Sequence, residues 1–193
     1  MVLGDWGGWP APHYSSPIQK SVADSMGRTS RLHRPEYIVG LGDNFYYHGV
    51  EDETDPMFEN TFENIYTGPR FSSIQAQEAC LYRVYDIGVY FKNDEFRKAP
   101  NLQCPWYHTT GNHDWSTRVN ENGDIVGGNV TAQIAYTEKS DRWMFPDLFY
   151  KVDTFLPNGI SQRIIIIDTP SLSGVYATRP IDMTEGNRFG KIC

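Results

Sequence analysis

An α/β fold with a mostly parallel sheet is predicted by three observations. First, one device occurs three times: an apolar stretch, a glycine, then Asp or Asn. It runs over Met1 to Gly7, Tyr37 to Tyr46 and Tyr107 to Trp115. Second, helix-start signals fall between these stretches, at Ser16-Pro17 and Asp55-Pro56. Strands alternating with helices argue for βαβ units. Third, Arg163 to Ile167 holds four consecutive isoleucines, apolar on both faces, as a strand at a sheet centre would be. In such a sheet ligands collect beyond the carboxyl ends of the strands. The recurring turn therefore brings Asp5, Asp43 and Asn112 together from distant parts of the chain.

Element by element, Met1 to Leu3 reads as the end of a buried strand. Ser16 caps a helix whose first residue is Pro17. Ile18, Val22 and Met26 recur at four-residue spacing, which predicts their stripe as the buried face. Gly27 ends that helix or sits inside it. Tyr37 to Leu41 is the second strand. The helix begun at Asp55-Pro56 buries Phe58, Phe62 and Ile65 and stops near Thr67-Gly68-Pro69. Residues 70–101 hold apolar and aromatic residues of mixed period and give no clear element. Trp106 to Thr110 is the third strand. Asn120 to Gly128 is a loop, lacking the glycine position and closing glutamate of a calcium loop. Asn129 to Lys139 is helical with Ile134 and Ala135 inside. Phe149 to Phe155 and Arg163 to Ile167 are further strands.

The 193 residues suit one domain. At 39% hydrophobic and 21% charged, they can build a core. A net charge of −7 with no Lys/Arg run sets aside nucleic-acid and anionic-membrane surfaces. No apolar stretch is long enough to span a bilayer, and no signal peptide is evident. Cys80, Cys104 and Cys193 lack zinc spacing. A Cys80–Cys104 bridge and three thiols are both open readings.

The turns carry hard oxygen donors. Asp5, Asp43 and Asn112 suit two hard cations with one carboxylate bridging them. Tyr46 follows Asp43 by three residues. A phenol titrates at about 10 in water, so it binds as phenolate only beside a strong Lewis acid such as trivalent iron. Paired metals are the usual device for in-line attack on phosphate. His113 would protonate the leaving alcohol or orient the phosphate, and Asp114 pairs with it or with nearby backbone. Each residue alone has an ordinary reading. A Gly-Asp turn is commonly a cap or Asx-turn, Tyr46 alone suits a core, and a lone histidine is usually just a satisfied polar residue. Their combination in three like turns separates them from His13, His33, His48 and His108, which show no ligand spacing. Glu51 to Asp55 is a solvated acidic loop.

Gly4-Asp5-Trp6-Gly7-Gly8, Gly42-Asp43-Asn44-Phe45-Tyr46 and Gly111-Asn112-His113-Asp114 resemble the first three motif blocks of the purple acid phosphatases. Within that family they most resemble the mammalian-type tartrate-resistant enzymes. The likeness extends to Val130 to Tyr136, to Arg142-Trp143 and to Phe145-Pro146. It implies the calcineurin-like metallophosphoesterase fold, an α/β β-sandwich flanked by helices, here its N-terminal half. It implies hydrolysis of phosphate monoesters by metal-bound hydroxide at an Fe(III) paired with divalent Fe, Zn or Mn. Asp5 would bind the iron, Asp43 would bridge, Tyr46 would be the iron phenolate, and Asn112 would bind the divalent metal. His113 would be the substrate-side catalyst, with Asp114 behind it. Glycine at position 7, where other branches usually place a histidine ligand, and the presence of Tyr46 favour this family over phosphodiesterases.

The family's histidine ligands in Gly-His and Gly-His-x-His motifs have no counterpart here. The expectation is an incomplete domain over 1–193, with an insertion at 70–101 and an incomplete C-terminus, inactive as it stands. The rivals are another metallophosphoesterase and a secreted binding protein that keeps the fold without activity. Asn129-Val130-Thr131 is a glycosylation sequon, in keeping with the secreted or lysosomal setting the resemblance implies.

Overall fold

The computed structural model describes residues 1–67, 102–156 and 159–174. The expected insertion, the tail after Gly174, Cys80 and Cys193 lie outside the described residues, so the Cys80–Cys104 pairing does as well. Four short strands form a parallel sheet: β1 (Val2–Leu3), β2 (Ile38–Gly40), β3 (Trp106–His108) and β6 (Trp143–Met144), in the order β1-β2-β3-β6. The mixed helix–strand architecture with a parallel sheet is thus as the sequence predicts.

Alternation along β3 and β6 furnishes the two faces of the sheet differently. Trp106, His108 and Trp143 point into the main core, while Tyr107 and Met144 point away from it. Trp6, from the first turn, sits at the centre of that core. Its ring lies within 6.1 Å of Phe45, Phe62, Tyr66, Trp106, His108 and Trp143. On the other face, the ribbon of β7 (Phe149–Phe155) and β8 (Ser161–Ile167) covers Tyr107 and Met144 with Val152, Tyr150 and Ile164.

Helix α1 (Pro17–His33) begins as predicted: the Ser16 hydroxyl accepts from the Gln19 N–H at 3.0 Å. Gly27 lies inside it. The buried face, however, is Gln19, Ala23, Gly27 and Ser30; of the predicted stripe Ile18 and Val22 are exposed and Met26 packs half-buried against the core. Gln19 decides this by donating to the carbonyls of both Trp6 and Thr61, each at 3.0 Å. Small residues at the next turns then let the helix lie close to the core.

Three other expectations are corrected. Among the described residues β8 is not a central strand: it pairs with antiparallel β7 alone, and Ile165 and Ile167 face outward, because a two-stranded ribbon covers one side only. Residues 120–128 contain the turn and second strand of a hairpin, β4 (Arg118–Val119) with β5 (Ile125–Val126), closed by the Asn120 side chain accepting from Asn122 and Asp124. In α3 (Val130–Ala135) the buried residues are Val130, Ala132 and Gln133. Ile134 is half-buried against the core and Ala135 is exposed. The segment after Asp55-Pro56 becomes a π-helical turn, Phe58–Glu63, and buries Phe58 and Phe62 as expected. Its last residue, Glu63, pairs with the buried Arg142.

His108 is wholly buried, stacked on Trp143 at 3.8 Å, and neither ring nitrogen has a hydrogen-bond partner among the described residues. Burial, then the nearby Arg142 charge, holds its pKa well below the ordinary value. The unfolded chain takes up that proton below about 6.5, so stability falls as pH drops from there toward the folded pKa. The expected loss between pH 6.5 and 5 is up to about 1.6 kcal/mol, the limit for a histidine that stays neutral in the folded protein. Urea unfolding at both pH values checks this, and His108→Leu should flatten the dependence. An equally steep dependence in His108→Leu would assign it elsewhere.

Candidate active site

The three turns meet at the carboxyl end of the parallel sheet. Direct backbone bonds join the first two: Asp5 N–H donates to the Gly42 carbonyl at 3.1 Å, and Gly7 N–H to the Asp43 carbonyl at 3.3 Å. Asp5 and Asp43 both adopt left-handed backbone, with φ of 52° and 51°. Such a conformation is uncommon for non-glycine residues and concentrates at functional sites. Gly42, at φ 98°, lies so close to Thr110 and Gly111 that a side chain would strike their backbone.

The carboxylates of Asp5 and Asp43 converge on the Tyr46 hydroxyl, which donates to Asp5 Oδ1 at 2.9 Å and lies 3.2 Å from Asp43 Oδ2. Burial, then the two carboxylates, pushes the phenol pKa well above its usual value. The donors are thus gathered where their own charges oppose Tyr46 ionisation, a balance that a bound cation reverses. This donor set fits a hard, highly charged metal ion.

Helix α2 (Asn112–Trp115) places the third turn. His113 N–H donates to Asp43 Oδ1 at 3.0 Å, and its ring packs 4.6 Å from that of Tyr46. Its Nδ1 donates to the Tyr47 carbonyl at 2.9 Å. Asn112 is exposed at the head of α2, directly before His113. Asp5, Asp43, Tyr46 and His113 are therefore joined by side-chain contacts, and Asn112 stands beside them. Asn129 lies outside this group: it caps α3 through Ala132 N–H, and its Nδ2 donates to the Glu51 carbonyl at 2.9 Å. Among the described residues, no trio of His, Cys, Asp and Glu alone has metal-binding geometry.

Asp114 pairs with backbone rather than with His113. Wholly buried, it accepts from the N–H groups of Asn44, Phe45 and Gly111, at 3.1, 3.2 and 2.8 Å, and from Gln133 Nε2 at 3.0 Å. Burial pushes its pKa up to about 7, against the pull of these donors. Asn44 completes the knot by donating to the Thr109 carbonyl and to Gln133 Oε1. A second buried carboxylate, Asp168, accepts from both N–H and hydroxyl of Thr110, and that hydroxyl accepts from Trp115 Nε1 at 2.6 Å. Sequence reading missed Asn44, Gln133, Thr110 and Asp168. One signal was present for Gln133, a polar residue between apolar neighbours within the family-like stretch Val130 to Tyr136.

A solved structure, GAP50, the anchor in the inner membrane complex of Plasmodium, superimposes with a TM-score of 0.54 at 20% identity, over 90% of this chain and 42% of that one. At that identity the likeness is one of fold alone. The chain is also 32% identical over 175 residues to tartrate-resistant acid phosphatase type 5 of Homo sapiens, covering 90% of this chain and 41% of that protein. Purple acid phosphatase 3 of Arabidopsis thaliana is 26% identical over 93% of this chain and 35% of its own length. These matches support a likeness to part of the purple acid phosphatases, and the chain spans about two-fifths of the relatives' length. No family model matches.

Proposed function

We propose that the chain carries part of a phosphate-monoester hydrolase centre. The observation that supports this most is the convergence of the Asp5 and Asp43 carboxylates on the Tyr46 phenol, with the His113 ring packed beside it. Asp5 and Tyr46 would hold Fe(III). Asp43 would be shared with a divalent Fe, Zn or Mn, for which Asn112 is the second ligand. When bound, the pair supplies a water nucleophile active near neutral pH and offsets charge on the attacking and leaving oxygens. His113 keeps Nδ1 on the Tyr47 carbonyl, so Nε2 is the nitrogen left to pass a proton to the departing alcohol. Asp114 fixes where that histidine stands. The relatives' names support the phosphatase reading.

Tyr46→Phe tests it. In the iron-loaded protein, this change is expected to remove the visible absorption band while the circular dichroism stays native. An unchanged band would refute the phenolate role. We extend the reading to a secreted or lysosomal setting, supported by the family resemblance and the sequon at Asn129. The glycan would have to coexist with the Asn129–Glu51 hydrogen bond. Peptide:N-glycosidase treatment of protein from a secretory host is expected to reduce its mass, and an unchanged mass would refute glycosylation.

A further inference from the structure

A cleft of about 610 Å³ opens beside the candidate centre and shares Tyr46 with it. Its walls divide by chemistry. Tyr14, Tyr46 and Tyr47 supply aromatic surface, and Asp52 and Asp55 supply charge. Tyr47 is exposed, its ring lies 5.9 Å from that of Tyr46 and 6.3 Å from that of His113, and its carbonyl orients the histidine. The cleft therefore begins where the leaving group of a monoester held at His113 would emerge. Its volume suits a ligand of several residues rather than an ion.

The charges in the cleft do not cancel. Arg118 is its one lining guanidinium, and it is already paired with Glu51 at 3.0 Å. Among the described residues neither Asp52 nor Asp55 has a salt-bridge partner, although Lys139, paired with Glu53, lies near enough to add to the Thr54 hydrogen bonds in holding the Asp52 carboxyl below its ordinary value. Asp55 spends both oxygens on the N–H groups of Glu51 and Met57. Asp52 accepts from the Thr54 N–H and hydroxyl through Oδ1. Tyrosine faces beside carboxylates in excess over cations are the surroundings that a guanidinium or ammonium favours.

We propose that this cleft binds the alcohol portion of the substrate and selects a phosphopeptide carrying Arg or Lys beside the phosphorylated residue. The proposal rests on the hydrolase reading for the phosphate end. The cleft itself can be tested without chemistry, by calorimetric titration with two unphosphorylated peptides, one with Arg flanking a serine and one with Glu. The Arg peptide is expected to bind on the order of tenfold tighter, with the preference shrinking at high salt. Tyr47→Ala and Asp52→Asn, both at exposed side chains, should each reduce that preference. Equal binding of the two peptides, or a preference that neither variant alters, would overturn the proposal. So would choline binding as tightly as the Arg peptide, since the cleft would then take a small cation and not a peptide. Peptide selection together with a visible band that Tyr46→Phe leaves unchanged would keep the cleft and count against the hydrolase reading.

Discussion

Replacing Asp114 with alanine is expected to lower the unfolding free energy by about 3–5 kcal/mol. Four N–H donors converge on this one buried carboxylate, from Asn44, Phe45, Gly111 and Gln133. Alanine leaves all four without a partner, and each buried orphan costs about 1–3 kcal/mol before relaxation. Against a total stability of about 5–15 kcal/mol, the loss is a large share. Asp114→Asn should fall between the two. Its amide oxygen still accepts, but its NH₂ group faces donors. Urea unfolding of the three proteins decides the matter. A loss below about 1 kcal/mol for alanine would mean that the second and third turns are held together by something else.

Arg142→Met is expected to cost a similar amount, about 3–5 kcal/mol. The guanidinium is nearly sealed. It pairs with the Glu63 carboxylate, donates to the Tyr66 carbonyl at 2.6 Å, and lies 4.7 Å above the Phe62 ring. Methionine fills much of the volume but strands Glu63, whose side chain is only 22% exposed. The double change Arg142→Met with Glu63→Leu should recover part of the loss, because a buried pair replaced as a unit leaves no uncompensated charge. A double variant no more stable than the single one would show that the loss comes from the abandoned carbonyls and not from the ion pair.

The sequence was most informative where local chemistry decides structure. Ser16-Pro17 names a helix start because the hydroxyl and the missing N–H act within one turn. The three turns of glycine followed by Asp or Asn were visible for the same reason, and the fold brings Asp5, Asp43, Tyr46 and His113 into contact. It was least informative where distant partners decide. The period of Ile18, Val22 and Met26 marks an apolar stripe truthfully. It cannot show that Gln19 finds two carbonyls and turns the helix the other way. The four isoleucines of β8 cannot show that, among the described residues, β7 alone pairs with them. Asp168 acts through a partner far along the chain, so local pattern gave it no role, and for Gln133 that pattern marked a polar residue without naming its partner.

The alternation on β3 has one more consequence. Trp106 and His108 enter the aromatic core while Tyr107 meets the β7–β8 ribbon. A slip of one residue would push both large rings out of their sockets and draw Tyr107 in. It would also carry Asn112 and His113 about 3.3 Å along the strand axis, away from Asp43. The aromatic rings therefore act as a positional key. They admit one setting of the strand, and only that setting delivers the third turn to the other two.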